Sequence, residues 1–389
     1  MPVLGGVVAI GIAVSACASG GSSSSTDASS IKVGVQFGLT GVDAGFDSTY
    51  QDGAKLAFGD IASSGINGKS VSFLYADDAS DPATAVSVAR KNVTQDGVSV
   101  LYGPAFTTTA LSTMQVATSS KIPFYTPGSI NPGLTSPLNQ YTFAPNFSSD
   151  DVATGIAKLV KSMGVQNVGM LVEDDAYGAS ALTAAQTALG AVGLSVNSQQ
   201  KIAATATDAT SQISALKQAG SDVILLGVTA PAIAAALNAE TSQSAYIPLV
   251  TFAGSNTSLD KIATSDPKII YYALTPLACP LGAACTADFM AKWTAAYPNE
   301  TPIVWTAQAY AAAEAFIAGL KNAKDDTPQG IVTGFETMQP YSSPELPCPI
   351  QFSTTSHKGN SCTNFYGITG GATTFFGSDV TDNTLTDGK

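Results

Sequence analysis

The sequence predicts an α/β protein made of two open parallel sheets, each covered by helices. From Ile31 onward, short apolar runs rich in β-branched residues alternate with helical patterns, as βαβ units require. Near Asn146 this alternation restarts instead of continuing, and a chain of 389 residues is long enough for two domains. We therefore expect two α/β lobes facing each other across a cleft, with ligands at the carboxyl ends of the strands.

The first predicted lobe begins with a strand over residues 31–37, a glycine-rich turn and a helix around Ala54, Phe58 and Ile61. Asp81 and Pro82 predict the start of the next helix, because aspartate caps helices and proline suits their first turn. Further strands are predicted at residues 70–75, 98–102, 122–126 and 141–143.

The second predicted lobe opens with a helix at Asp150 and Asp151, since acidic residues favour a helix start. Strands follow at residues 167–172, 194–201, 222–228 and 248–252, separated by alanine-rich helices that pack closely on a sheet. The last third predicts a strand at 269–274, helices at 287–296 and 306–321, and, after Pro328, short strands at 349–352 and 364–369. Gln308 and Glu314 interrupt the helix at 306–321, which is too short to span a bilayer and is expected to be buried.

Composition favours a large packed core and excludes several partners. Hydrophobic residues make up 45% of the chain and charged residues only 12%, and the net charge is −12. An acidic chain without a basic patch argues against nucleic acid or an anionic membrane surface as the main partner.

The first thirty residues are predicted to be an export and anchoring segment. Residues 3–16 are apolar and small, too short to span a bilayer and typical of a secretory signal core, although no Lys or Arg precedes them. They end in Val14-Ser-Ala-Cys17, which resembles the lipobox of bacterial lipoproteins. We expect a signal peptide over residues 1–17 with lipidation of Cys17, the alternative being an ordinary buried cysteine. Residues 18–30, nearly all Gly, Ser, Ala and Thr, predict a flexible tether to the membrane outside the cytoplasm.

Four further cysteines are consistent with an exported protein. They form two local pairs in sequence, Cys279 with Cys285 and Cys348 with Cys362. Three connectivities are possible for four cysteines, and local pairing is the simplest. Zinc binding is the rival interpretation, but the usual Cys-x-x-Cys spacing is absent and His357 is the only histidine. We expect no metal and no cofactor.

Two strand-to-loop switches, at residues 102–109 and 125–132, form the predicted binding centre. Thr107, Thr108 and Thr109 stand where a helix begins, beside Gly103. A helix N-terminus offers unsatisfied N–H donors and positive partial charge, which suit a small anion such as a carboxylate. The simpler alternative is that these threonines only cap the helix.

Several short motifs share one order and spacing over most of the chain. They are Gly38-Leu-Thr-Gly41, Tyr75-Ala-Asp-Asp-Ala-Ser-Asp-Pro82, Gly103 through Thr109, Thr126-Pro-Gly-Ser-Ile-Asn-Pro-Gly-Leu-Thr135, Asp175-Ala-Tyr-Gly178 and Val304-Trp-Thr306. In these motifs the body, residues 31–376, resembles the type I periplasmic binding proteins of ABC importers, specifically the branched-chain amino acid family. The resemblance implies a hinge of three crossings, lobe 1 at 31–147 plus 274–330, and lobe 2 at 148–273 plus 331–389. It also implies a monomer that delivers a small-molecule ligand to the transmembrane subunits of an ABC permease.

The resemblance implies which residues meet the ligand. Its carboxylate would be met at Thr107, Gly128 and Ile130, with Thr108 and Ser129 adjacent, although position 130 usually carries a hydroxyl. Phe46, Tyr177, Thr229 and Phe252 would complete the walls. Phe46 and Tyr177 have a simpler alternative as packing residues, as do Asp77 and Asp78 as turn residues and Trp305 as packing beneath the cleft.

One half of the expected site is missing from the sequence. The family ordinarily meets the ligand's ammonium with a carboxylate in the loop after the strand near Pro248, but residues 251–257 contain none. A desolvated ammonium needs an opposite charge or several acceptors. The ligand is therefore either an amino acid held differently or a carboxylate, amide or aromatic acid, and an extracellular sensor of the same fold is the second alternative.

Catalysis is not expected. The sequence has no Gly-x-Ser-x-Gly elbow, no Walker phosphate loop and no Gly-x-Gly-x-x-Gly. Adjacent Asp174 and Asp175 have no placed partner for acid–base work and are expected in a solvated loop.

Overall fold

The computed structural model describes residues 30–254 and 256–377, so the predicted signal peptide, Cys17 and the tether lie outside the described residues. The strands are β1 Ile31–Phe37, β2 Val71–Asp77, β3 Val100–Tyr102, β4 Phe124–Tyr125, β5 Thr142–Phe143, β6 Val168–Glu173, β7 Val196–Ile202, β8 Val223–Gly227, β9 Leu249–Gly254, β10 Tyr271–Thr275, β11 Asn364–Thr369 and β12 Ala372–Gly377. The helices are α1 Ala44–Ser64, α2 Pro82–Lys91, α3 Thr107–Ser120, α4 Ser149–Ser162, α5 Ala176–Ala191, α6 Thr210–Gln218, α7 Ala230–Ser242, α8 Thr257–Ser265, α9 Ala287–Ala296, α10 Val304–Asn322 and α11 Pro328–Thr337.

Two sheets form the cores of two lobes, which confirms the predicted fold class. The first sheet has the order β2-β1-β3-β4-β5 and is parallel throughout. The second has the order β12-β11-β10-β9-β8-β6-β7 and is parallel except at β11, which runs antiparallel to both of its neighbours. Every residue of β6 and β8 is buried, as expected for parallel strands covered by helices on both faces. Within the described part of the chain, no helix is long and apolar enough to cross a membrane.

Local chemistry explains where several helices begin. The Asp81 side chain accepts a hydrogen bond from Thr84 N at 2.7 Å and caps α2, as the Asp-Pro pair predicts. At α4, Ser148 and Asp151 form a capping box in which Asp151 accepts from Ser148 N at 2.7 Å.

The predictions after Pro328 were partly wrong. Helix α11 occupies a stretch for which we predicted no helix, and the predicted strand at 349–352 is reduced to an isolated bridge between Ile350 and Tyr341. Thr327 caps the helix, because its side chain accepts from Gly330 N, and Pro328 stands in the first turn.

The chain passes between the two sheets three times: after β5, after β10 and before β11. Side chains of the third crossing donate hydrogen bonds to the backbone of the other two crossings. The Asn360 amide donates to Pro145 O at 3.0 Å, and the Asn364 amide donates to Leu277 O at 2.8 Å. The three crossings therefore lie side by side, in the arrangement of a hinge.

Residues 331–358, expected in lobe 2, contact the first sheet instead. Phe335 and Phe352 pack on Phe143 of β5 with ring centroids 4.9 and 5.3 Å away, and the His357 ring stacks on the same residue at 3.9 Å. Phe335 and Phe352 of this stretch belong to the same buried apolar cluster as Tyr125 of β4 and Phe143 of β5. We propose that lobe 1 extends through residue 358.

The cysteines are joined locally, Cys279 with Cys285 and Cys348 with Cys362. The second bridge spans 14 residues and ends two positions before β11. It thus restrains the third crossing.

Candidate ligand-binding cleft

A cavity of about 380 Å³ lies between the lobes. The first lobe contributes Asp43, Phe46, Thr107, Gly128, Ile130 and Trp305. The second lobe contributes Tyr177, Thr229, Pro231, Phe252, Gly254 and Asn256. Of the nine predicted ligand-contacting residues, seven line this cavity. The other two, Thr108 and Ser129, are outside the lining set.

The first turn of α3 opens onto the cavity through Thr107. The N-cap position belongs to Phe106, which has no side-chain acceptor, so the alternative that the threonines only cap this helix is wrong. Thr109 instead donates its hydroxyl to Phe106 O at 3.1 Å, and the Thr107 and Ser129 hydroxyls lie 3.1 Å apart. Ser129 therefore orients Thr107 from behind, and the donors of the first turn are left for another acceptor.

Gly128 is fixed by packing rather than by backbone conformation. A Cβ atom at this position would lie 2.3 Å from Ala105 Cβ and 2.9 Å from the Tyr50 ring, both closer than van der Waals contact. A larger residue at this position would clash with Ala105 and Tyr50. Because glycine has no side chain, its backbone lines the cavity.

An aromatic wall on the first lobe combines two distant parts of the chain. Trp305, at the start of α10, packs edge-on against Phe46 with centroids 5.9 Å apart and stacks on Tyr50 at 6.3 Å. Sequence reasoning placed Trp305 beneath the cleft, whereas it lines the cavity. Its indole also presses against Gly254 of the second lobe, where a Cβ atom would lie 2.6 Å from the ring.

Three acidic residues were missed as a group: Asp43 lines the cavity, whereas Glu173 and Asp175 contact the lining residues Thr229 and Tyr177. Asp43 precedes α1 in the first lobe, while Glu173 ends β6 and Asp175 caps α5 in the second. Burial, together with repulsion from Asp47 and Glu173, raises the pKa of Asp43 well above its ordinary value. Burial also raises the pKa of Glu173 and of Asp175, against the opposing effect of their hydrogen bonds.

The loop after β9 has no carboxyl group in its sequence, but these three acidic residues stand on other loops at or beside the cavity. The lining residues that the structure describes include no Lys, Arg or His. Asp43 could have been found as an acidic residue immediately after a glycine turn. The burial of Glu173 could not have been found from the sequence, because its hydrogen-bond partner Thr229 is 56 residues away.

A fourth carboxyl lies under the cleft. Asp47 is fully buried and accepts from three backbone N–H groups: Gly38 at 2.7 Å, Phe106 at 3.0 Å and Ala105 at 3.2 Å. Burial raises its pKa to about 8, against the effect of these hydrogen bonds. Asp47 thus ties the loop after β1 to the loop that starts α3.

The remaining polar candidates have structural roles. Asp77 accepts from Leu39 N and Ala79 N, both at 2.8 Å, which is the turn role anticipated for it. Asp174 is exposed and pairs with Lys201 at 2.6 Å. His357 is buried, with Nδ1 2.9 Å from Asn139 O. Among residues 30–254 and 256–377, no group of His, Cys, Asp and Glu could hold a metal ion.

Comparison with known proteins identifies the family. The sequence pattern of the family described as periplasmic binding protein matches residues 30–372. The chain belongs to this family. As a periplasmic binding protein, it is a solute-binding protein of the extracytoplasmic space and not an enzyme.

Relatives of this periplasmic binding protein include an amino acid binding protein of Pseudomonas aeruginosa, 26% identical over 200 residues. A second is Leu/Ile/Val-binding protein homolog 2 of Brucella abortus, 28% identical over 204 residues. These matches cover 51% and 52% of the chain and 53% and 55% of the relatives, so the chain spans about half the length of the curated relatives it matches.

Solved structures show the same fold over nearly the whole molecule. A leucine-binding protein from Thermotoga maritima superposes with a TM-score of 0.76, at 16% identity, over 89% of this chain and 97% of that one. A solute-binding protein of an ABC transporter from R. palustris, in complex with benzoate, gives 0.76 at 19% identity, over 90% and 96%. A counterpart from Rhodopseudomonas palustris BisB5, bound to 3,4-dihydroxybenzoic acid, gives the same TM-score, identity and coverage.

Proposed function

We propose that this periplasmic binding protein is the solute-binding lipoprotein of an ABC importer. It captures a small carboxylate-bearing solute, such as a branched-chain or other amino acid, and delivers it to the permease. The carrying observation is the first turn of α3, which opens into the inter-lobe cavity at Thr107 without a capping side chain. Such a helix start binds an anion through its free N–H groups and positive partial charge.

Capture follows from the position of the site. The carboxylate of the solute binds Thr107 and the backbone at Gly128 in the first lobe, while its apolar part contacts Trp305 and Phe46. Closure about the three crossings then brings Tyr177 and Phe252 of the second lobe onto the solute. The solute stabilises the closed form by the difference between its affinities for the closed and open forms.

The known proteins support this proposal in two ways. Relatives are named for amino acids, and two structural neighbours hold benzoate or a dihydroxybenzoate, which are also carboxylates. The aromatic wall of Phe46 and Trp305 favours an aromatic acid as the second candidate ligand. The N-terminal sequence up to Cys17 supports the lipid anchor, which metabolic labelling with a tagged fatty acid tests directly on wild type and Cys17→Ala.

A thermal-shift screen over amino acids, aliphatic amides and aromatic or short-chain carboxylates tests the ligand class. A solute that binds only the folded state raises the melting temperature. Thr107→Val should weaken binding of the best carboxylate about tenfold or more, because a hydrogen bond to a charged group is lost. Thr183→Val is the matched control, since that residue is exposed on α5 and its hydroxyl donates to Ala179 O of the same helix. If no carboxylate raises the melting temperature, or if Thr107→Val leaves titration calorimetry unchanged, the proposal is wrong.

A further inference from the structure

We propose that a second cavity, beside the ligand-binding cleft and beyond the contact between Trp305 and Gly254, is a separate site for an uncharged amphiphile, a small molecule with an apolar body and one hydroxyl group. The volume of this second cavity is about 550 Å³, against about 380 Å³ for the cleft. Its ligand class differs from the carboxylate of the proposed function, and its occupant couples to the movement of the lobes.

Trp305 separates the second cavity from the cleft. The linings of the two cavities have Asn256 and Ile303 in common, whereas Trp305 and Gly254 belong to the cleft lining. The indole lies so close to Gly254 that a Cβ atom on this glycine would be 2.6 Å from the ring. A solute in the cleft therefore does not extend into the second cavity past this contact, and both cavities can be occupied at the same time.

The two walls of the second cavity come from different lobes. The second lobe supplies residues at the start of α8 and on β11 and β12, among them Asp260, Tyr366, Thr373 and Phe375. The first lobe supplies the loop 280–282, Met290 and residues 301–304. A molecule that contacts both walls binds this arrangement more tightly than one in which the lobes have moved apart, so its binding favours closure.

A disulfide bond fixes the shape of the loop on the first-lobe wall. Cys279 is joined to Cys285, and residues 280–282 between them line the cavity. The Gly282 N–H donates to Thr286 Oγ1 at 2.8 Å, which holds the same loop from within. A loop that is ordered before binding loses little conformational entropy when a ligand contacts it. The bridge thus prepares this wall for a ligand.

The lining favours an apolar body over a charged one. Leu281, Met290 and Phe375 are only partly buried and face the cavity, so a ligand that covers them removes apolar surface from water. The described lining residues include one carboxyl group, that of Asp260, and no Lys, Arg or His. An anionic ligand would be repelled by Asp260 with no cation to offset the repulsion.

An uncharged head group suits the polar end of the cavity. Asp260 stands in the first turn of α8, where the helix dipole favours negative charge, and its Oδ1 atom accepts from the Tyr366 hydroxyl at 2.9 Å. The charge of this carboxylate is therefore already stabilised within the protein and does not require a ligand cation. A carboxylate oxygen has several lone pairs, so Asp260 can accept a further hydrogen bond from a ligand hydroxyl.

Methionine methyl NMR distinguishes the two cavities. Met290 lines the second cavity, and the described residues of the cleft lining include no methionine. Protein labelled at the methionine methyl groups is titrated with n-hexanol, hexanoate and n-hexylamine, which share one tail length. The Met290 signal, assigned by its loss in Met290→Leu, should shift on binding of n-hexanol. Its dissociation constant should be about tenfold or more below those of the two ions, because burying an unpaired charge is costly.

Two adjacent threonines of β12 give a matched pair of variants. Thr373→Phe should abolish the Met290 response, because Thr373 lines the cavity and a phenyl ring there fills it. Thr374→Phe is the control, since neighbouring residues of a strand point to opposite faces of the sheet and position 374 is outside the lining. Melting temperatures verify that both variants are folded.

The double serine variant at Cys279 and Cys285 tests the role of the bridge, and it decides the question if Thr373→Phe does not fold. It should bind n-hexanol about threefold or more weakly, because the loop must then be ordered on binding. Calorimetry of L-leucine and of benzoate, with and without n-hexanol, tests the coupling between the sites. Whichever of the two binds in the cleft should bind about threefold or more tightly with n-hexanol present.

Several results would overturn the second site. They are an unchanged Met290 signal with n-hexanol, equal binding of hexanoate or n-hexylamine, equal responses of Thr373→Phe and Thr374→Phe, or equal shifts of all methionine signals, which indicate unspecific association. An unchanged affinity of the cleft ligand with n-hexanol would refute the coupling. If neither L-leucine, benzoate nor any other carboxylate binds, the proposed function fails, while the Met290 titration still decides the second site.

Discussion

Glu240 provides a quantitative test of how much a buried carboxyl group destabilises the second lobe. It lies on α7, is 1% exposed, and its Oε2 atom accepts from Ile247 N at 2.8 Å, which ties the end of α7 to the chain entering β9. Burial raises its pKa from 4.5 to about 7, although the Ile247 hydrogen bond and the charge of Lys217 act against the rise. The folded state therefore holds this proton at a pH where the unfolded chain has lost it.

The sign and size of the effect follow by linkage. Below pH 4.5 the carboxyl is protonated in both states and costs nothing. Between about pH 4.5 and 7 the unfolded state ionises first, so the free energy of unfolding falls as the pH rises. Above about pH 7 both states are ionised. Since one unit of pKa corresponds to about 1.4 kcal/mol, the rise from 4.5 to about 7 amounts to a loss of about 3 kcal/mol at pH 8.

Glu240→Gln keeps an acceptor for Ile247 N and removes the titration. Urea unfolding, followed by circular dichroism from pH 4 to pH 8, should show the wild-type free energy of unfolding falling by about 3 kcal/mol more than that of the variant. The other buried carboxyls titrate in both proteins and cancel in the difference. Glu300→Gln, at an exposed position, should run parallel to wild type. Parallel curves for Glu240→Gln and wild type would refute the reasoning.

Three further substitutions test packing and cross-links. Gly254→Ala should cost about 1–3 kcal/mol of stability and weaken ligand binding, because the new Cβ lies 2.6 Å from the Trp305 ring; urea unfolding and calorimetry measure both. Phe335→Ala should cost about 3–5 kcal/mol by calorimetric unfolding, because the ring packs on the buried aromatic residues of β4 and β5. Replacing Cys348 and Cys362 by serine should cost about 3 kcal/mol in urea unfolding, because a bridge spanning 14 residues no longer restricts the unfolded chain.

Each of these three substitutions has a control or an outcome that would contradict it. Gly59→Ala adds a Cβ with nothing within 4 Å and should be neutral or slightly stabilising; a loss equal to that of Gly254→Ala would contradict the packing argument. An unchanged transition for Phe335→Ala would show that residues 331–358 do not stabilise the first sheet. The double serine variant at Cys279 and Cys285, which opens a shorter loop, should lose about 2 kcal/mol, and a larger loss there would contradict the loop-length argument.

The regular part of the fold was predictable because its signals are local. The Asp81-Pro82 pair gave the start of α2, and α9 begins and ends at the predicted residues. The helix α11 was not predicted, because its apolar pattern is short and its apolar face is stabilised by packing on the side chains of β5. Burial by distant residues, not local propensity, decides such an element.

The site divides in the same way. The α3 start and Gly128 follow strand ends and could be found by position. Trp305 and Glu173 could not be found by position. Trp305 is placed at the site by the packing of α10 on α1, and Glu173 by a hydrogen bond to Thr229. A charged residue at the end of a strand gives no sign in the sequence that a threonine from another βα unit will bury it.

The asparagines of the third crossing couple the parts of the hinge. Because Asn360 holds Pro145 and Asn364 holds Leu277, we expect the three crossings to bend together when the lobes open. The free-energy difference between open and closed forms then enters the apparent dissociation constant of every ligand as one common factor. A substitution at Asn364, remote from the solute, would tune the strength of capture for all solutes equally and leave their ranking intact.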